Sequence, residues 1–197
     1  MAAHHAITRD DLSLDLDAYK EARAQRRREI WALKEYRRLA VGPFASFMFE
    51  NFETMRYQVQ EMLYIERGGE EQISGELAAY NPLVPNGSEL VTTLMLEIED
   101  PERRALELGR LTRVEDTITL EVDGEVIAAK PELDLERTKE DGKTSSIHFL
   151  HYPFTPGQIA KFRADGTRVV LAIGHEHYAH MAVLPEAMRA ALAEDFD

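Results

Sequence analysis

The feature that most restricts how this chain can fold is a change of hydrophobic rhythm near residue 88. Before it, apolar residues recur at helical spacing. After it they alternate, as in residues 89–99 (ELVTTLMLEIE) and in Ile118, Leu120 and Val122. A period near 3.6 buries one stripe of a helix, whereas a period of 2 buries one face of a strand. A chain that uses first one and then the other is expected to be α+β, with N-terminal helices packed on a mostly antiparallel β-sheet and short C-terminal helices. Its 197 residues suit a single domain, with a helical region over 1–87 and a sheet-rich region over 88–197.

Local punctuation refines this layout. Residues 15–39 contain no Gly or Pro and read as a helix, stopped by Val41-Gly42-Pro43. Residues 44–67 lack a breaker and read as a second helix, with an apolar stripe at Phe52, Met55, Val59 and Met62, ended by Gly68-Gly69. A third helix covers 70–80 and closes at Asn81-Pro82. In the second half, Asp123-Gly124 between alternating apolar runs signals a hairpin, and 131–142 is a charged connection. Further strands are expected over 144–154, 167–173 and 177–184, the last two joined by a turn at Gly174. Helices are expected over 101–108, 155–164 and 185–194.

Composition removes several classes of function. With no cysteine, the chain has no disulfide, thiolate nucleophile, Cys-ligated zinc or iron–sulfur cluster, and a cytoplasmic setting is the expectation. No apolar run approaches the roughly 20 residues of a membrane helix, so no membrane role is expected. Net charge is −13, which repels phosphate backbones and argues against nucleic-acid binding. That charge is unevenly spread: residues 1–40 hold nine basic against seven acidic side chains, so the rest of the chain carries the acidic excess. Arg23, Arg26, Arg27, Arg28, Lys34, Arg37 and Arg38 form a basic face that would suit an acidic partner; the plainer reading is a solvated helix surface.

Several motif fragments fail. Gly142-Lys143-Thr144 has Arg137 where a phosphate-binding loop needs Gly. His175-Glu176 has Ala179 where a zinc-protease helix needs its second His. Neither a dinucleotide-binding Gly-x-Gly-x-x-Gly nor a Glu-x-x-His pair is present, so NAD and di-iron bundles are not expected, and neither is haem. What remains is a set of histidines in the β-rich half, His148, His151, His175, His177 and His180, together with carboxylates. His4 and His5 lie in the N-terminal tail. Strand parity places His175 and His177 on one side and His180 on the other. Glu97 lies within a strand, and Glu50, Thr54, Tyr57 and Glu61 form a polar stripe beside the apolar one, with Glu66 beyond it. If that helix stripe faces His148 and Glu97 across a helix–sheet gap, a mixed Glu/His site results, of the kind that holds non-haem Fe(II) or another divalent transition metal. The alternative is an ion-pair network in which arginines neutralise the acids.

Phe49-Glu50, Tyr57-Gln58-Val59-Gln60-Glu61-Met62, Ile65-Glu66-Arg67, Tyr80-Asn81-Pro82-Leu83-Val84-Pro85 and Lys143-Thr144-Ser145-Ser146-Ile147-His148-Phe149-Leu150 resemble the bacterial family of unknown function DUF3501. The resemblance runs from Ile7-Thr8-Arg9-Asp10-Asp11-Leu12 to the C-terminal helix. It implies no established activity. Genes of this family tend to lie beside those of rubrerythrin-like and iron–sulfur oxidoreductases, which implies a redox or peroxide-linked role. Carried over by position, the family pattern includes Glu50, Tyr57, Glu61, Glu66, Glu97, His148, His175, Tyr178 and His180. The sequence departs from it at Glu176 and His177.

Three readings follow. The first is a metalloprotein that could act as an oxidoreductase, with His148, His175, His180, Glu61 and Glu97 as metal ligands and Tyr57 or Tyr178 as proton donors. The second is a non-catalytic accessory protein that docks on a redox protein through its arginine cluster, with a homo-oligomer also open. The third is a metal-free enzyme using Glu66 or Glu97 as general base.

Overall fold

The alternation after residue 88 builds two antiparallel sheets rather than one. The computed structural model describes residues 6–132 and 144–197. His4, His5, most of the charged connection at 131–142 and the Gly142-Lys143 pair lie outside the described residues. A five-stranded sheet has the order β1 (Arg38–Val41), β2 (Ala45–Glu50), β3 (Glu89–Leu96), β7 (Ile147–Pro153), β6 (Lys130–Pro131). A four-stranded sheet has the order β5 (Glu125–Ala128), β4 (Ile118–Val122), β8 (Val169–His175), β9 (Tyr178–Val183). Six α-helices complete the described chain: α1 (Leu16–Glu35), α2 (Phe52–Glu66), α3 (Glu70–Tyr80), α4 (Pro101–Arg110), α5 (Pro156–Arg163) and α6 (Glu186–Ala193). The fold is α+β, and none of the described helices is long and apolar enough to cross a membrane.

Strand parity arranges these elements in layers. Phe47, Phe49, Leu90, Leu94, Leu150 and Tyr152 project from one face of the five-stranded sheet. They share a core with Ile118, Leu120, Val169, Leu171 and Ile173 of the four-stranded sheet. Val91 and Phe149 project from the opposite face, toward Met55, Val59 and Leu63 of α2 and Ile73 of α3. The order is therefore helices, five-stranded sheet, four-stranded sheet. Leu108 of α4 closes one end of the inter-sheet core, and Phe162, Met188 and Leu192 of α5 and α6 close another. α1 lies outermost, against α2.

Two expectations about the first half need correction. Residues 44–50 are not helical: β1 and β2 form a hairpin around Gly42-Pro43-Phe44, and the helix begins only after Asn51. Ser46, Met48 and Glu50 alternate with Phe47 and Phe49, so this short run has period 2, and both of its faces are buried between layers. The true start signal of α2 is Asn51, whose side chain accepts from the Thr54 N–H while Thr54 Oγ1 accepts from the Asn51 N–H. The region 1–87 is thus not purely helical, and α1 stops at Glu35 because Arg38–Val41 is recruited as a sheet edge. The buried stripe of α2 ends at Leu63 rather than Met62. In the second half, the Asp123-Gly124 hairpin forms as expected, both residues having positive φ (46° and 83°). The β8–β9 turn falls at Glu176-His177, not at Gly174.

Candidate functional site

The expected meeting of helix acids and strand imidazoles depends on which face each residue takes. His148 lies opposite Leu94 in the β3–β7 ladder, on the face that meets the four-stranded sheet. α2 covers the other face. Glu61 and His148 are therefore on opposite sides of the five-stranded sheet.

On the helix side, the acids are engaged by bases and hydroxyls. Glu61 takes a bidentate contact from Arg23 (2.7 and 2.9 Å) and a hydrogen bond from the Tyr19 hydroxyl (2.8 Å). The Arg23 guanidinium holds its pKa below the ordinary carboxylate value. Tyr57 is half-buried one turn earlier. Burial, and then the charge of Glu61, push its pKa up, the opposite of what an activated proton donor needs. Glu66 is exposed at the end of α2 and accepts from the Gln72 amide (2.8 Å). Glu97 is half-exposed just beyond β3, where Ser46 and Arg38 hold it (2.7 and 2.6 Å) and lower its pKa. Glu66 is exposed and Glu97 half-exposed, so neither has the apolar enclosure of a tuned general base. The carboxyl that does have it is Glu50. It is 5% exposed and accepts from Thr54 and Thr93 (both 2.6 Å), and burial raises its pKa.

On the inter-sheet side, the imidazoles serve backbone groups. His148 is buried; its Nε2 donates to the Ser145 carbonyl (2.9 Å), and its Nδ1 faces Glu115 at 3.6 Å. His175 is also buried, donating from Nε2 to the Thr112 carbonyl (3.2 Å) and accepting at Nδ1 from the His177 N–H (3.2 Å). The two hydrogen bonds use both ring nitrogens. Because the turn falls at Glu176-His177, His175 pairs with Tyr178, and His180 lies opposite Ile173. His175 and His180 thus share a sheet face, and His177 leaves the strand. This corrects the parity expected from an unbroken run. His180 is exposed and packs edge-on against the Tyr178 ring (4.5 Å).

Tyr178 is the most fully used of the expected site residues. Its hydroxyl accepts from the N–H groups of Phe44 (3.1 Å) and Ala45 (3.0 Å) and donates to the Val41 carbonyl (2.8 Å). One phenol from β9 thereby holds the β1–β2 turn and joins the two sheets. The close approach depends on Gly42, where φ is +74° and an added Cβ would lie 2.7 Å from the hydroxyl.

A divalent ion needs several unengaged lone pairs converging on one point. Both oxygens of Glu61 and Glu97 already accept hydrogen bonds, and His175 has no nitrogen to spare. Among the described residues, no group of three or more His, Asp or Glu is placed to hold a metal ion. As arranged, these residues do not fit such a centre.

Three features escaped the sequence reading. His151, on the helix side of β7, is held between Glu89 at Nδ1 and Glu132 at Nε2 (both 3.1 Å), and the Glu89 hydrogen bond leads the causes that raise its pKa. Arg37, within the basic run, is buried and forms a two-bond pair with Asp195 (2.7 and 2.8 Å). The third is Trp31, which stands exposed within the basic face already expected of α1. In α1, only Tyr19 and Ile30 of 20 residues are buried. Lys20, Arg23, Arg27, Trp31 and Lys34 follow at spacings of 3, 4, 4 and 3 along one side. Trp31 is 65% exposed, the Arg27 guanidinium lies 5.2 Å from its ring centre, and Arg38 and Met48 extend the same groove onto β1 and β2. Lone Trp residues are rarely so exposed, and an outlying Trp31 was the available signal.

A family model, described as a protein of unknown function (DUF3501), matches residues 6–196. The chain is also similar to a crystal structure of a novel protein of unknown function from Burkholderia pseudomallei. The two share 39% identity at a TM-score of 0.90, over 98% of this chain and all of that one. No curated protein matches.

Proposed function

This chain belongs to the DUF3501 family, whose description assigns no activity, and we propose from its own surface that it is an accessory protein docking on an acidic redox partner through α1. The observation that carries this reading is the exposed basic and aromatic stripe of α1. Lys20, Arg27 and Lys34 form no ion pair among the described residues, and they flank Trp31 on a chain whose remaining charge is strongly negative. An indole ringed by cations is the composition of an interface hot spot: Trp and Arg carry large contact area at low conformational cost. The cations would steer an acidic surface to the site, and Trp31 would anchor it. The redox character of the partner is the element implied by the family resemblance. Metal-dependent chemistry at Glu61, Glu97, His148, His175 and His180 draws no such support: Glu61, Glu97 and His175 are already hydrogen-bonded, and Glu61 and His148 lie on opposite sides of the five-stranded sheet.

The test is co-purification from native lysate with mass-spectrometric identification of the bound protein, followed by titration of the two purified proteins. Binding to an acidic redox protein is expected, weakening at least tenfold between 50 mM and 500 mM salt. It should also weaken at least tenfold in R27E/R28E and in W31A. Binding that ignores both variants would refute the assignment of the surface; a purely basic partner would refute the charge argument.

A further inference from the structure

We infer that this chain pairs with a second copy of itself along β9, the two edge strands running antiparallel about a two-fold axis at Met181. β9 belongs to the layer farthest from α1, so this pairing does not depend on the docking proposal. The four-stranded sheet ends at β9, which has β8 on one side and no strand on the other among the described residues. The Leu184 N–H donates to the Val169 carbonyl (2.9 Å), so by alternation Tyr178, His180 and Ala182 turn their backbone groups toward β8. Ala179, Met181 and Val183 turn theirs to the open side, where they bond to no described residue. Their side chains share the sheet face that points away from the inter-sheet core, since Leu171 and Ile173, opposite Ala182 and His180, point into it. Met181 is 70% and Val183 54% exposed.

Proteins ordinarily protect a sheet edge with charge or proline. Here β1 carries Arg38, β5 carries Glu125, and β6 consists of Lys130 and Pro131. β9 has six residues, Tyr-Ala-His-Met-Ala-Val, with no Lys, Arg, Asp, Glu or Pro among them. Two-fold self-complementarity selects a second copy as the occupant. With the axis at Met181, Met181 faces its own counterpart, and Ala179 faces Val183 of the other copy. All three outward residues then form pairs that exchange both N–H···O bonds, and no like charges meet. An axis one residue earlier would pair Val183 with His177 of the turn. One residue later, it would pair Ala179 with Pro185, which has no N–H.

Sedimentation velocity of the purified full chain at micromolar concentration should show a dimer. M181P removes no internal hydrogen bond, because that N–H points outward, but it blocks the centre of the pairing. It should be monomeric with unchanged far-UV circular dichroism. M181K and M181E should each be monomeric as well, since like charges then face each other at the axis, and an equimolar mixture should recover a heterodimer. In a chain without cysteine, M181C should form a disulfide-linked dimer on mild oxidation, because the Cα atoms of such a pair lie about 5.5 Å apart. V126C, on the opposite edge strand, should cross-link at least tenfold more slowly. A monomeric parent would overturn the pairing, and so would two charge variants that do not associate when mixed. A dimer that persists in M181K and M181E, or one lost in W31A, would overturn its location.

Discussion

Replacing Tyr178 by Phe removes one oxygen and leaves the ring in place, so it isolates what the hydroxyl does. That oxygen makes three hydrogen bonds to backbone groups of the β1–β2 turn, two of them to Val41 and Ala45, which are 0% and 2% exposed. A typical intramolecular hydrogen bond contributes about 1 kcal/mol net, and an unsatisfied buried partner costs somewhat more. The three together predict a loss of about 3 kcal/mol. For a chain of this length each kcal/mol lowers Tm by about 2–4 °C, so Y178F should melt about 6–12 °C below the parent. The assay is urea and thermal unfolding followed by far-UV circular dichroism. The denaturant slope should be unchanged, because the same surface is exposed on unfolding. H180A provides the contrast: its ring is exposed and only packs on Tyr178, so its loss should stay below about 1 kcal/mol. A Y178F loss under about 0.5 kcal/mol would refute the view that this phenol fastens the two sheets together.

Two further predictions concern buried and titrating pairs. R37M strands the buried Asp195 carboxylate and should cost about 3–5 kcal/mol, whereas R37M/D195L should recover most of that, giving strong non-additivity in a double-mutant cycle. Simple additivity would contradict the pairing. His151 has a folded pKa raised above 6.5, so its contribution to stability is fully present below the unfolded value and is lost as pH rises through the folded one. The urea midpoint should therefore fall between pH 5.5 and pH 9 in the parent and fall less in H151Q; equal slopes in both proteins would count against the Glu89–His151–Glu132 contact.

Much of the second half was legible because its signals are local. The Asp123-Gly124 hairpin, the Pro101 helix start and the α3 limits depend on residues within a few positions of one another. The β1–β2 hairpin was not legible because six residues carry too short a pattern to outweigh a breaker-free run that continues into α2. The candidate site was half legible. Glu61 and Glu97 were recognised as acids needing partners, but the partners Arg23 and Arg38 lie 38 and 59 residues away. Nothing in local spacing chooses an arginine over a metal. Arg37 was read as one more surface cation, although its partner Asp195 is 158 residues on and both are buried.

Sequence alone determined the α+β class, the family, the acidic body with its basic α1, and the alternation that gives the strands after residue 88 two distinct faces. It could not determine which face meets which layer, because alternation specifies two sides without labelling them, and the label comes from long-range strand pairing. That pairing turned His148 toward the second sheet and left the acids of α2 on the far side. It also set Tyr178 against a turn 137 residues away. The chemistry of each side chain was written in the chain; its company was decided by the packing of three layers.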